Sequence, residues 1–239
     1  MDRKAQALPV FALLFALTLI TVSAALPALN VRVYAPKPYG VGLQSMYEHA
    51  LLNALAYATQ QHTPQMTGFT QPSSPSLETA ASTYWESEVQ AVNAVPRHEK
   101  HLNLTGTVSF AFSRLGGLVK RGEAVEASSS FTPELSWQPS ASYKATLKLE
   151  GASYASGIVR LTVRLTHEYA FKAYPDASLK AYLKRGTAWV EVPLSVERRD
   201  QGLYAVEVNV GTVQQPDVIL LSLDEHGLAL WFRTNPASW

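Results

Sequence analysis

From Leu102 onward, apolar and polar residues alternate along the chain. Leu102, Leu104, Val108, Phe110 and Phe112 alternate with Asn103, Thr105, Thr107 and Ser109. A period of two puts one set on a buried face and the other in water, which predicts a strand. Ala141, Tyr143, Ala145, Leu147 and Leu149 repeat the pattern against Ser142, Lys144, Thr146, Lys148 and Glu150. A turn over Gly151 to Gly157 is predicted next. Val159, Leu161, Val163 and Leu165 then alternate with Arg160, Thr162, Arg164 and Thr166, completing a hairpin. Ala188 to Val196 reads as one strand, which turns at Asp200-Gln201-Gly202 and returns through Tyr204 to Val210. Val218 to Leu223 and Leu228 to Phe232 flank Asp224-Glu225-His226-Gly227. With shorter candidates at Ala124–Phe131 and Leu179–Leu183, about seven to nine strands are expected. Short strands with regular turns predict a β-sandwich of immunoglobulin-like architecture.

Ahead of Leu102 the period is close to that of a helix. Leu43, Tyr47, Ala50, Leu51, Ala54, Leu55 and Ala58 form one apolar stripe, with Gln44, Ser45, Glu48 and Asn53 off it. This predicts a helix over Leu43–Gln61, its stripe packed within the chain. Ser74-Pro75 reads as a serine N-cap and a proline at the first helical position. The second helix then runs to Val95, with Ala81, Trp85, Val89 and Val92 inward, and Pro96 stops it.

The N-terminus follows a third pattern. No charged residue occurs from Ala5 to Val31, and Val10 to Leu26 is almost wholly apolar. Such a run is long enough to span a bilayer core as a helix. Arg3 and Lys4 precede it, which places the N-terminus in the cytoplasm and the rest outside. The chain thus divides into an anchor or signal segment at 1–31, a linker with two helices at 32–97, and a β-sandwich at 98–239. The expected class is mainly β with an N-terminal α part and one transmembrane helix.

Composition narrows the function. The 239 residues carry a net charge of +1, which argues against nucleic acid as a general partner. Charged residues make up only 16% and hydrophobic ones 47%, a balance unlike that of most cytosolic proteins. There is no cysteine, so disulfides and thiolate metal sites are excluded.

Two processing routes stay open for the apolar segment. Val22-Ser23-Ala24 suits signal peptidase, with cleavage after Ala24. Alternatively, Lys4-Ala5-Gln6-Ala7-Leu8-Pro9-Val10-Phe11-Ala12-Leu13 resembles the N-terminus of type IV pilin-like proteins, especially the TadE-like and archaeal pilin-like group. The resemblance covers about 20 residues. It implies cleavage between Ala5 and Gln6 by a prepilin peptidase, with the helix retained as anchor or filament core. Many pilins carry a glutamate where this chain has Val10, and Pro36-Lys37-Pro38-Tyr39-Gly40 interrupts the long helix usual in that family. A minor or anchored component is therefore expected rather than a major pilin.

Candidate chemistry is sparse. His98-Glu99-Lys100-His101 lacks the two-residue gap that places two histidines on one helix face, so it reads as a solvated loop. His167-Glu168 reads as a strand end, and Gly116-Gly117 as a turn. No serine sits in a glycine-framed nucleophile elbow and no phosphate loop is present. Neither a catalytic residue, a metal nor a cofactor is expected. Lys144, Lys148, Arg160 and Arg164 fall on the polar face of one hairpin, interleaved with threonines. Such a stripe suits an anionic partner such as an acidic surface glycan, lipid headgroups or an acidic protein, or is simply a solvated sheet face. Glu191 and Glu207, on the polar face of the next hairpin, could neutralise part of it. Asn103-Leu104-Thr105 is a glycosylation sequon consistent with export.

The expected function is non-catalytic: a membrane-anchored, pilin-like or pseudopilin-like surface protein presenting an extracytoplasmic β-sandwich. Its expected partners are the membrane and, beyond it, other pilin-like subunits or surface glycans. The alternative is a secreted or anchored glycan- or protein-binding module.

Overall fold

Helix α1 (Tyr39–Gln60) and helix α2 (Ser74–Ala94) precede ten strands. The strands are β1 (Gly106–Ser113), β2 (Ala124–Pro133), β3 (Ala141–Ala155), β4 (Ile158–Glu168) and β5 (Ala177–Arg185). Then come β6 (Ala188–Val192), β7 (Leu194–Asp200), β8 (Leu203–Asn209), β9 (Val218–Asp224) and β10 (Ala229–Thr234), and a short turn of 3-10 helix closes the chain at Pro236–Ser238. The computed structural model describes residues 39–61, 73–94, 105–136, 138–168 and 177–239. Several expectations lie outside them: the N-terminal segment with Ala5, Gln6 and Ala24, the histidines of 98–101, the Pro96 helix stop and Asn103.

The protein is mainly β, as expected, with two antiparallel sheets. The larger has strand order β1-β2-β3-β4-β8-β7 and the smaller β10-β9-β5-β6. Alternation does what the pattern requires. Tyr143, Ala145, Leu147 and Leu149 of β3 are buried, as are Val159, Leu161, Val163 and Leu165 of β4. The inner faces of both sheets and both helices share one apolar core within the compact unit Leu43–Trp239. Strand β9 reads Val-Ile-Leu-Leu without alternation because both its faces are covered. Val218 and Leu220 join the main core. Ile219 and Leu221 join a second cluster with Trp189, Ala229 and Trp231.

Four expectations are corrected. The stretch Gly151–Gly157 is largely strand: a bulge between Leu149 and Gly151 lets β3 continue to Ala155. The turn is only Ser156-Gly157, both at positive φ (51° and 79°), as a tight two-residue hairpin demands. The run Ala188–Val196 is two strands, because Pro193 interrupts it. Strand β6 pairs with β5 in the small sheet, and β7 pairs with β8 in the large one. That split brings the described strands to ten.

Helix α1 is buried more fully than one stripe requires. Leu52, Ala56 and Thr59 are enclosed along with Tyr47, Leu51 and Leu55, and so is Glu48. Exposed residues recur at Ser45, His49, Asn53 and Tyr57, a single narrow line one turn apart. Tyr47 stacks on Phe131 of β2 at 4.2 Å, and Tyr57 on Tyr84 of α2 at 4.6 Å. At the far end, the Thr59 hydroxyl accepts from the backbone N–H of Ala229 at 3.1 Å. The fourth correction is at the start of α2. The capping residue is Ser73, not Ser74: the carbonyl of Ser73 accepts from the N–H of Ser76 and of Leu77, and its hydroxyl accepts from Ser76 at 3.4 Å.

Candidate functional site

The outer face of the large sheet collects the chemistry expected of the basic stripe. Lys144 and Lys148 on β3, with Arg160 and Arg164 on β4, alternate with buried residues and point to solvent. Antiparallel register sets Lys148 opposite Arg164, and Arg160 opposite Glu207 of β8. The stripe is interleaved with acid. Lys144 lies 3.0 Å from Glu126, Arg160 2.7 Å from Glu207, and Arg164 2.7 Å from Glu150. The Arg164 guanidinium holds the Glu150 carboxyl below the usual range, and Glu126 raises the Lys144 ammonium. Of the two expected neutralising glutamates, Glu207 plays that part. Glu191 belongs to the small sheet and meets Lys180 at 3.8 Å, because Pro193 divides the strand that was expected to carry it alongside the stripe.

Two shallow depressions mark this face. One, of about 270 Å³, lies over β1–β4, where Ser109, Ser128, Ser130 and Ser142 meet Lys144 and Glu168. The other, of about 280 Å³, crosses β3, β4, β8 and β7. Its floor is Gly151, Thr162 and Ala205, which are direct cross-strand partners. Arg121, Arg160 and Arg199 border it together with Glu207. Of these arginines, sequence reading singled out only Arg160. Arg121 sits in the β1–β2 connection, and Arg199 lies on β7 at a register shift between Arg198 and Asp200. Neither belongs to an alternating run with the stripe, so no periodic signal links them to it.

A polar cluster lies between the sheets. The Tyr143 hydroxyl of β3 is 2.8 Å from Nδ1 of His167 at the end of β4. Asp224 arrives from β9, its Oδ2 3.6 Å from His167 Nε2 and 3.5 Å from the Tyr143 hydroxyl. Oδ1 of Asp224 accepts the backbone N–H of His226 at 2.9 Å and of Leu228 at 2.7 Å, which fixes the β9–β10 turn. The side chains of His167 and Asp224 are 4% and 2% exposed, so water and substrates do not reach them. Burial lowers the His167 pKa to about 4, helped by His226 and opposed by Glu225. Burial raises that of Asp224, against the two backbone donors. At neutral pH the imidazole is uncharged, and the His167–Asp224 contact is not an ion pair. Tyr143 donating to Nδ1, with the proton on Nε2 facing Asp224, satisfies this arrangement. The cluster is thus a closed polar pin joining the sheets. The strand-end reading of His167 holds, but its burial and its partners come from separate strands and carry no local signal.

Among the described residues, no group of three metal-ligating side chains converges. No helix among them is long and apolar enough to cross a membrane. Comparison with protein-family models, curated proteins and solved structures finds no match for the chain.

Proposed function

We propose that this chain is a non-catalytic, membrane-anchored cell-surface protein of pilin-like or pseudopilin-like type. Its apolar N-terminal run holds an immunoglobulin-like β-domain outside the cytoplasm. The observation that carries the reading is the burial of α1. The chain enters the β-rich unit through a helix enclosed on all but one narrow line, with Tyr47, Leu51, Leu55 and Thr59 in its core. An element buried in this way cannot leave without exposing a large apolar area, so it is an integral part of the β-rich unit. What precedes it in sequence is the uncharged run Ala5–Val31 behind Arg3 and Lys4. The closed Tyr143–His167–Asp224 cluster also fits a domain built for structure rather than turnover.

A second reading, a glycan- or protein-binding module, draws on the arginine-bordered depression of the large sheet. The two readings are compatible if the module is anchored.

Protease added to intact cells or spheroplasts, followed by N-terminal sequencing of the membrane-derived protein, tests the proposal. Cleavage of the β-domain in intact cells, with a mature chain starting at Gln6 or Met1, is expected. Protection of the domain until the membrane is breached overturns the placement. A terminus at Ala25 removes the anchor and leaves the secreted module.

A further inference from the structure

The depression over β3, β4, β8 and β7 has the makings of a binding site. Gly151, Thr162 and Ala205 face one another across three strands, so a row of short side chains lowers the sheet surface. The next row, Ser153, Arg160, Glu207 and Ser195, stands higher along one side. Arg121 closes the trough from the β1–β2 connection and Arg199 from β7. Three guanidinium groups and one carboxylate border a volume of about 280 Å³.

The state of each charge matters. Arg121 spends its Nε–H on the backbone carbonyl of Glu150 at 3.1 Å. That bond positions the guanidinium without neutralising it. Arg160 uses its Nε–H on Glu207 at 2.7 Å, which holds it upright on the trough wall. Arg199 leans on Glu197 at 3.4 Å, and both of these side chains are more than half exposed, so that pair is weak.

We propose that this trough binds an acidic saccharide, with the carboxylate or sulfate of one sugar held by Arg121 and Arg199. Planar guanidinium groups match such anions in two-point contacts. The hydroxyls of Ser153 and Thr162 and the carboxylate of Glu207 lie beside them and suit sugar hydroxyls, which donate and accept in turn. Glu207 disfavours a dense polyanion such as a polyphosphate by like-charge repulsion. The short floor lets a ring lie close to the backbone, and the open rim lets a chain of sugars pass over the surface. Binding rests on polar contacts at an open surface, so it weakens with salt.

The site depends on the folded β-domain and not on where the chain resides, so its test is separate from that of topology. Purified full-length protein in neutral detergent is titrated with an oligogalacturonate, a sulfated oligosaccharide, neutral dextran oligomers and inorganic sulfate. Binding of an acidic oligosaccharide is expected, with none of dextran and far weaker binding of free sulfate. Arg121→Gln with Arg199→Gln weakens it by about tenfold or more, as loss of charged hydrogen bonds does. Lys180→Gln, on β5 of the small sheet, leaves it within about twofold, as expected of a change on another sheet. Ala205→Tyr keeps every charge, fills the floor and also abolishes binding, which keeps the test decisive if the double variant folds poorly. Unchanged binding in Ala205→Tyr, free sulfate binding as tightly as the oligosaccharide, or no binding of either acidic oligosaccharide at low salt overturns the proposal.

Discussion

The Tyr143 hydroxyl lies 2.8 Å from Nδ1 of His167, and Asp224 from the opposite sheet completes the contact. This small polar group ties β3 and β4 to the β9–β10 turn across a largely apolar interior. Its consequence is a stability that depends on pH. His167 titrates at about 4 in the folded chain against an ordinary 6.5. Between those values the unfolded chain binds the proton and the folded one does not. Stability therefore falls as pH drops from 6.5 towards 4 and levels off below. For His167 alone the loss is about 3 kcal/mol. Asp224 acts in the opposite sense, because its raised pKa lets the folded chain take up a proton first as acid is added. Asp224→Asn removes that offset while its carbonyl still accepts from His226 and Leu228. Urea unfolding across this range should show a steeper loss in Asp224→Asn than in wild type. In His167→Gln the slope should be shallower than in either. Equal slopes in all three would show that the cluster does not titrate as described.

Tyr143→Phe keeps the ring in its core position and removes only the hydroxyl. His167 then loses a buried partner. A cost of about 1–2 kcal/mol is expected at neutral pH, read as a lower urea midpoint at unchanged slope. Wild-type stability would mean that the hydroxyl contributes nothing.

Gly116 sits at φ 89° beneath the ring of Trp231, and a Cβ there would overlap that ring. Gly186 has a similar φ of 62° but open space around it. Both positions strain an L side chain, and only one adds a clash. Gly186→Ala should cost about 1 kcal/mol, and Gly116→Ala about 2 kcal/mol more. Calorimetric melting compares the two, and altered tryptophan fluorescence should accompany only the second. Equal losses would show that the Trp231 ring moves aside freely.

What could be read from the chain was what repeats along it. Alternation at Tyr143–Leu149 and Val159–Leu165 predicts strands because each residue's face is set by its neighbours two positions away. The helical spacing of Tyr47, Leu51, Leu55 and Ala58 predicts α1 in the same way. Pairings between distant residues leave no such trace. Nothing near His167 signals Asp224, and nothing near Arg160 signals Arg121 or Arg199. The division at Pro193 was within reach, since a proline inside a run argues against one continuous central strand. The bulge at Gly151 shows how one residue without a side chain lets a strand continue where glycine and serine suggest a turn.

Helix α1 provides a direct test of burial beyond the predicted stripe. Ala56 is off that stripe yet only 6% exposed, with Gly227 of the β9–β10 turn close by. Asn53, a turn away, faces solvent. Ala56→Glu places a carboxylate at a largely enclosed site, at a cost of about 3 kcal/mol or more. Asn53→Glu should stay within about 0.5 kcal/mol of wild type. Similar melting temperatures for the two would mean that the second side of α1 is open in solution.

The ion pairs of the large sheet set a limit on the basic stripe. Arg164 grips Glu150 through Nε and Nη2 at 2.7 and 3.3 Å, with roughly a third of each side chain exposed. A pair of that exposure contributes about 1 kcal/mol or less. Arg164→Gln should therefore lower stability only slightly, and added salt should shrink the difference. Arg164→Glu is a different case. It sets a second carboxylate against Glu150, with Lys148 opposite in register as a partial offset. That variant should be clearly less stable than Arg164→Gln at low salt and approach it at high salt. Urea unfolding of both variants at two ionic strengths measures the gap. A gap that persists at high salt would mean that the added carboxylate is shielded from solvent ions, against the partial exposure of this pair.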